Sequence, residues 1–269
     1  SGLPSDRIGH WVGKDLIHWE EWPSIPVTTG VAGDWNEKGP TLTGMVVHHR
    51  GRFYLYAGSM PGGEQQTGLF LSEDLESWTP HPKNPVFKAA GPYYLDHPVP
   101  PLFHDMLDFR DPFIWYREED HQYHALLHGR LPSWNHEHTG AVLAHMRSND
   151  LVNWEHLPPF DAPTGLYEKI EVPDLFELEG SYYLLFTSRS RGGIHLSTDG
   201  RRSADGTFYF VADDWDGPYH RPDSFLVVGA EKGAPGPWCA HTFARGEDRV
   251  LYHHMTGSRA ALAAPKKVR

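Results

Sequence analysis

Three stretches of the chain carry one phrase, "GKDLIHW" at 13–19, "SEDLESW" at 72–78 and "SNDLVNW" at 148–154, and a shorter echo, "STDG", stands at 197–200. Recurrence of this kind marks one supersecondary unit used several times, and nothing else in the chain restricts the fold as much. Upstream of the phrases lies a second set of segments: "GRFYLYAG" (51–58), "HQYHALLHG" (121–129), "GSYYLLFTS" (180–188) and "DRVLYHHMTG" (248–257). Each alternates with the period of two that a strand requires and is entered through a polar turn. A third set precedes those: "LTGMVVHH" (42–49), "DPFIWYRE" (111–118), "VPDLFELE" (172–179) and "WCAHTFARG" (238–246). Each unit therefore reads strand, tight turn, strand, and a third strand running into Ser-x-Asp-Leu-x-x-Trp, which is a β-meander.

Meander units repeated about an axis make a propeller, with the first strand of each unit lining the central channel. The expectation is an all-β, five-bladed β-propeller forming one domain over residues 1–269. Its first blade is incomplete, because residues 8–22 correspond only to the outer part of a unit. Composition agrees: 27 glycines, 23 prolines and 35 Trp, Tyr and Phe residues suit short strands joined by sharp turns. No window shows the i, i+3, i+4, i+7 apolar spacing of a helix. The repeated aspartate and tryptophan need no catalytic explanation, since an Asx turn with a Trp packed between blades accounts for both.

A formal charge of -11, with no run of lysines or arginines longer than two, argues against a nucleic-acid or anionic-membrane partner. The single cysteine, Cys239, excludes an internal disulfide and a cysteine-rich zinc site. No segment is apolar for long enough to span a bilayer as a helix, and Ser1 onward lacks the pattern of a signal peptide. The abrupt start on "SGLPSDRIGHW" and the end on "APKKVR" fit a mature or trimmed piece, so compartment and oligomeric state stay open.

In a propeller the heads of the first strands converge on one mouth of the channel. Asp111 heads the first strand of the third unit and Glu171, in "KIEVPDLF", that of the fourth, each beside a proline, at what reads as the same place in consecutive units. Paired carboxylates suit glycoside cleavage: one protonates the leaving oxygen and the other handles positive charge developing on the sugar. A turn-capping role for each acid is the plainer alternative. His241, in "WCAHTF", heads the fifth first strand and faces the same mouth, as a channel-packing or sugar-contacting residue. Of the loop tryptophans Trp35, Trp134, Trp215 and Trp238, packing suits Trp215, and contact with a sugar face suits Trp134, in a polar loop.

Taken in order, "IGHWVGKDLIHWEEWP", "DWNEKGPTLTGMVV", "LDFRDPFIWY" and "EVPDLFEL" resemble the five-bladed β-fructofuranosidase superfamily, glycoside hydrolase family 32 with its relatives in families 68 and 43. The resemblance covers almost the whole chain and rests most on Arg-Asp-Pro followed by Glu-x-Pro-Asp. It implies retaining hydrolysis or transfer of a furanoside, a carbohydrate partner and no cofactor. Asp111 would be the transition-state stabiliser, Arg110 its charged neighbour in the sugar pocket, and Glu171 the general acid/base. Thr43 stands where the family has a serine touching the sugar.

The departures are specific. The family's nucleophile is an aspartate in a Trp-Met-Asn-Asp-Pro-Asn-Gly-like segment that is absent here, and the alignment places it upstream of Ser1, on inner strands of the first unit. "DWNEKGP" resembles that segment superficially but matches a later loop better, which leaves Glu37 a poor substitute. Val172 replaces the family's cysteine and Leu42 its frequent phenylalanine. The competing readings are a family 43-like arabinofuranosidase or other inverting glycosidase, and a propeller that binds carbohydrate without cleaving it. A C-terminal β-sandwich, common in family 32, is left open. The histidine clusters "NHEHTG" and "YHHMTG" lack the spacing of a helical zinc site, so no catalytic metal is expected.

Overall fold

The computed structural model describes residues 7–27, 33–37, 41–97, 107–134, 140–188, 204–231, 236–255 and 261–268. Its strands are β1 (Arg7–Val12), β2 (Glu20–Pro26), β3 (Leu42–His49), β4 (Arg52–Ser59), β5 (Gln66–Ser72), β6 (Thr79–Pro80), β7 (Phe87–Lys88), β8 (Arg110–Arg117), β9 (Gln122–Arg130) and β10 (Ala141–Ser148). They continue with β11 (Glu155–Leu157), β12 (Glu171–Leu178), β13 (Ser181–Ser188), β14 (Ala204–Ala212), β15 (Leu226–Glu231), β16 (Pro237–Arg245), β17 (Asp248–Met255), β18 (Ala261–Leu262) and β19 (Lys266–Lys267). Among the described residues the helical content is two short 3-10 turns, Pro61–Gly63 and Thr164–Leu166.

The strands form antiparallel meanders in chain order: β3-β4-β5-β6 with β7 also on β5, β8-β9-β10-β11, β12-β13-β14-β15, and β16-β17-β18 with β19 also on β17. Among the described residues β1 and β2 pair only with each other. Among the described residues the repeated units are thus four sheets and a two-stranded ribbon. Of the fifth unit expected at the N-terminus, the described residues hold the ribbon alone. The chain divides into two compact units, residues 1–14, 18–136 and 144–159 in one, and 15–17, 137–143 and 160–269 in the other.

The repeated phrase builds the expected turn. Ser72 Oγ accepts the Leu75 N–H at 2.9 Å, while Asp74 Oδ1 accepts those of Glu76 and Ser77 at 2.8 and 2.7 Å. Ser148 and Asp150 repeat the pattern on Leu151, Val152 and Asn153. The intervening leucines, Leu16, Leu75 and Leu151, all take left-handed backbone at φ of 68°, 67° and 65°. The N–H bonds from Ser77 and Glu76 hold the Asp74 carboxyl at about 2. The fourth echo, at Asp199, lies outside the described residues.

Two of the three tryptophans of the phrase pack, whereas Trp19 is exposed, against the expectation for it. Trp154 lies against Phe87, ring centroids 4.9 Å apart, and Trp78 donates through Nε1 to the Leu75 carbonyl at 3.0 Å. Within the first unit Ile25, Val27, Leu55, Ala57 and Phe70 form a core on which Ile8, Trp35 and Trp78 pack. Gly68 permits this, because a Cβ there would lie 2.2 Å from the Trp35 ring. In the second unit Phe176, Leu185, Ala240 and Leu251 play the same part. Apolar side chains shielded in this way supply most of the driving force for folding.

Candidate active site

The first strands of three sheets share one irregularity near their heads. Pairing slips between Arg110 and Phe113 on β8, between Glu171 and Asp174 on β12, and between Trp238 and His241 on β16. Each slip contains one non-glycine residue in left-handed backbone: Asp111 at φ 60°, Val172 at 55° and Cys239 at 49°. Such β-bulges re-aim side chains at the ends of strands, and positive φ at a β-branched valine is strained backbone. The bulges also fix the equivalences. Asp111 corresponds to Val172 and Cys239, and Glu171 to Arg110 and Trp238. This corrects the expectation that Asp111 and Glu171 occupy the same place in consecutive units; they are offset by one residue across the bulge.

Four of the six predicted site residues, Asp111, Arg110, Thr43 and Trp134, lie in the first compact unit. Asp111 is 4% exposed, with Oδ2 3.5 Å from Arg110 Nε. Arg110, 5% exposed, is committed elsewhere as well: Nη1 donates to Gln65 Oε1 at 2.9 Å and to Asp108 Oδ1. Gln65 Oε1 also accepts the Phe109 N–H at 3.0 Å. Asp108 Oδ2 accepts from Arg130 Nε at 2.9 Å and lies 3.5 Å from His128 Nε2. The Arg130 guanidinium sits 4.6 Å over the Trp134 ring. Arg110, Asp111 and Trp134 therefore belong to one connected cluster. Thr43 is exposed at the head of β3, where the ladder slips between Leu42 and Gly44.

Burial alone would raise the Asp108 carboxyl, but Arg110, His128 and Arg130 outweigh it and hold the group well below the usual carboxylate range. Burial, reinforced by Arg110, lowers the fully buried His128 to about 4, so its imidazole is neutral at ordinary pH.

The second unit holds Glu171 and His241. Glu171 is partly buried at the head of β12, opposite Thr187 on β13. Asp174, 1% exposed, accepts the Thr242 N–H at 2.6 Å, which ties β12 to β16. Burial pushes the Asp174 carboxyl up against the opposing effect of His241 beside it, and burial lowers His241. Trp215 packs on Phe160 at 8% exposure, in line with a structural role. No group of three His, Cys, Asp or Glu able to hold a metal ion occurs among the described residues. Of the histidine clusters, residues 135–139 lie outside the described residues, and His253 is buried against Lys266 Nζ at 2.7 Å.

Reading the sequence for paired acids missed Asp108, Gln65, His128, Arg130 and Asp174. His128 and Arg130 are two residues apart on β9, so strand alternation puts them on one face, and Arg110 sits opposite His128 in the ladder with Asp108 two residues ahead of it. That spacing was a usable signal.

Antiparallel meander sheets following one another in chain order define a class, the all-β propellers. The sequence profile of the glycosyl hydrolases family 32 N-terminal domain matches residues 7–227, and the chain belongs to that family. It is 26% identical over 249 residues to the extracellular exo-inulinase InuE of Aspergillus ficuum, an alignment covering 81% of this chain and 42% of that protein. Its backbone superposes on the Bombyx mori GH32 β-fructofuranosidase with a TM-score of 0.70 at 19% identity, over 99% of this chain and 54% of the other. On the sucrose-6-phosphate hydrolase of Lactobacillus gasseri the TM-score is 0.72 at 14% identity, over 96% and 52%. The chain spans about two fifths of the length of the inulinases it matches.

Proposed function

We propose that the chain is the catalytic propeller of a glycosidase acting on β-fructofuranosides, residues 1–269 forming one domain and the β1–β2 ribbon standing as the outer pair of a fifth blade. The observation that carries the reading is the family 32 match running through both strand heads, Arg110-Asp111-Pro112 and Glu171-Val172-Pro173, whose backbones share one left-handed bulge. Glu171 is the general acid, giving its proton to the glycosidic oxygen as the bond to the anomeric carbon breaks. Asp111 accepts hydrogen bonds from sugar hydroxyls beside that carbon and offsets its growing positive charge. Thr43, Trp134 and His241 contact the sugar, and Arg110 fixes Asp111. A retaining course needs a nucleophilic carboxylate about 5 to 5.5 Å from the acid/base, and the family's aspartate segment has no counterpart in these 269 residues.

A second reading is a propeller that binds fructosides without cleaving them. Incubation with sucrose, inulin, levan and arabinosides separates the two. Turnover of a fructoside, lost by about 100-fold or more in Asp111→Asn and Glu171→Gln, supports the hydrolase. Binding without turnover supports the second reading, and action on arabinosides alone overturns the fructoside assignment.

A further inference from the structure

The cluster around Asp108 places four charged side chains, Asp108, Arg110, Asp111 and Arg130, at 7, 5, 4 and 3% exposure. Taking charges out of water is costly, and well-packed apolar residues of similar volume are often as stabilising as a buried ion network. Stability alone therefore does not account for it. Its connections are informative. One Asp108 oxygen holds Arg110, whose Nε faces Asp111, and the other holds Arg130, which lies against Trp134. With His128 neutral, two carboxylates of this cluster face two guanidinium groups, and Gln65, just ahead of β5, braces Arg110 without adding charge.

We propose that Asp108 is the positioning residue of this site: it anchors Arg110 and Arg130 together, and through them sets the Asp111 carboxylate and the Trp134 ring against a bound sugar. Asp108 does not itself meet the ligand. Without it, the Arg110 guanidinium would turn more fully to Asp111, whose Oδ2 already lies 3.5 Å from its Nε, and Asp111 would be drawn from hydroxyl binding into ion pairing. The proposal rests on the reading of Asp111 as a sugar-holding carboxylate, and the test separates the two.

Fructose, which cannot be turned over, is titrated into the 269-residue chain and followed by tryptophan fluorescence, for the parent, Asp108→Asn, Asp111→Asn and the double variant. Asp108→Asn is expected to weaken fructose binding about tenfold, as loss of a hydrogen bond to a charged group does. In the Asp111→Asn background the same change should cost less than about twofold, because coupled residues are not additive. A purely structural Asp108 would give multiplying losses, and that result, or unaltered affinity in Asp108→Asn, overturns the proposal. Since Asp108→Asn leaves buried arginines short of a counter-charge, Gln65→Met runs through the same cycle as a variant that keeps the charge balance. If Asp111→Asn leaves fructose affinity unchanged while Asp108→Asn lowers it, the reading of Asp111 fails and Asp108 acts by another route. If the parent chain binds no fructose, both fall.

Discussion

At the scale of single residues, the left-handed positions near the strand heads decide which side chain each bulge re-aims. Asp111, Val172 and Cys239 occupy the same backbone conformation, which aspartate tolerates and valine does not, so Val172 is held there by its surroundings rather than by preference. Beside Asp108, His128 gives a pH dependence whose sign follows from its burial. Its folded value, about 4, lies below the ordinary 6.5, so between these two pH values the unfolded chain binds the extra proton. Stability is therefore full above about pH 6.5 and is lost as pH falls toward 4. His145, lowered to about 3 by burial and by His124 next to it, acts in the same sense. Replacing His128 with glutamine, which keeps a donor for Asp108 but does not titrate, is expected to flatten the fall in melting temperature over that range. A slope equal to the parent's would remove His128 as its source. Asp111 was legible in the sequence because a carboxylate before Pro112 is conspicuous. Its true counterpart, Val172, was not, because a bulge shifts register without changing composition.

At the scale of elements, the hairpins between first and second strands show how closely the repeats were readable. The two-residue turns Arg50-Gly51 and Glu179-Gly180 have both φ values positive, 49° and 77° in one and 52° and 81° in the other, the type I′ geometry that matches the right-handed twist of strands. Asparagine suits the first position better than arginine or glutamate. Both side chains are exposed, so Arg50→Asn and Glu179→Asn should each add about 0.5 kcal/mol, or roughly 1 to 2 °C by calorimetry. A fall in stability would show that the native side chains make contacts worth more than the turn preference. Strand pairs such as β3 with β4 and β8 with β9 were legible because alternation and turn residues agreed. The short outer strands β6, β7 and β11 were not, since two or three residues carry no period.

At the scale of the whole molecule, the family and the all-β propeller class were legible from ordered motifs spread over the chain, while the number of blades was not, because the first unit shows only its outer pair. If residues 1–269 act as one domain, scanning calorimetry should give a single transition whose van't Hoff and calorimetric enthalpies agree. Two resolved transitions would instead assign independent stability to the two compact units. The meander order has a consequence in time as well as in space. Every main strand pairs with the strand just before or after it in the chain, so each sheet closes over short stretches of sequence. During synthesis a sheet is complete soon after its last strand leaves the ribosome and need not wait for distant partners, which shortens the interval in which its unpaired edges are open to aggregation.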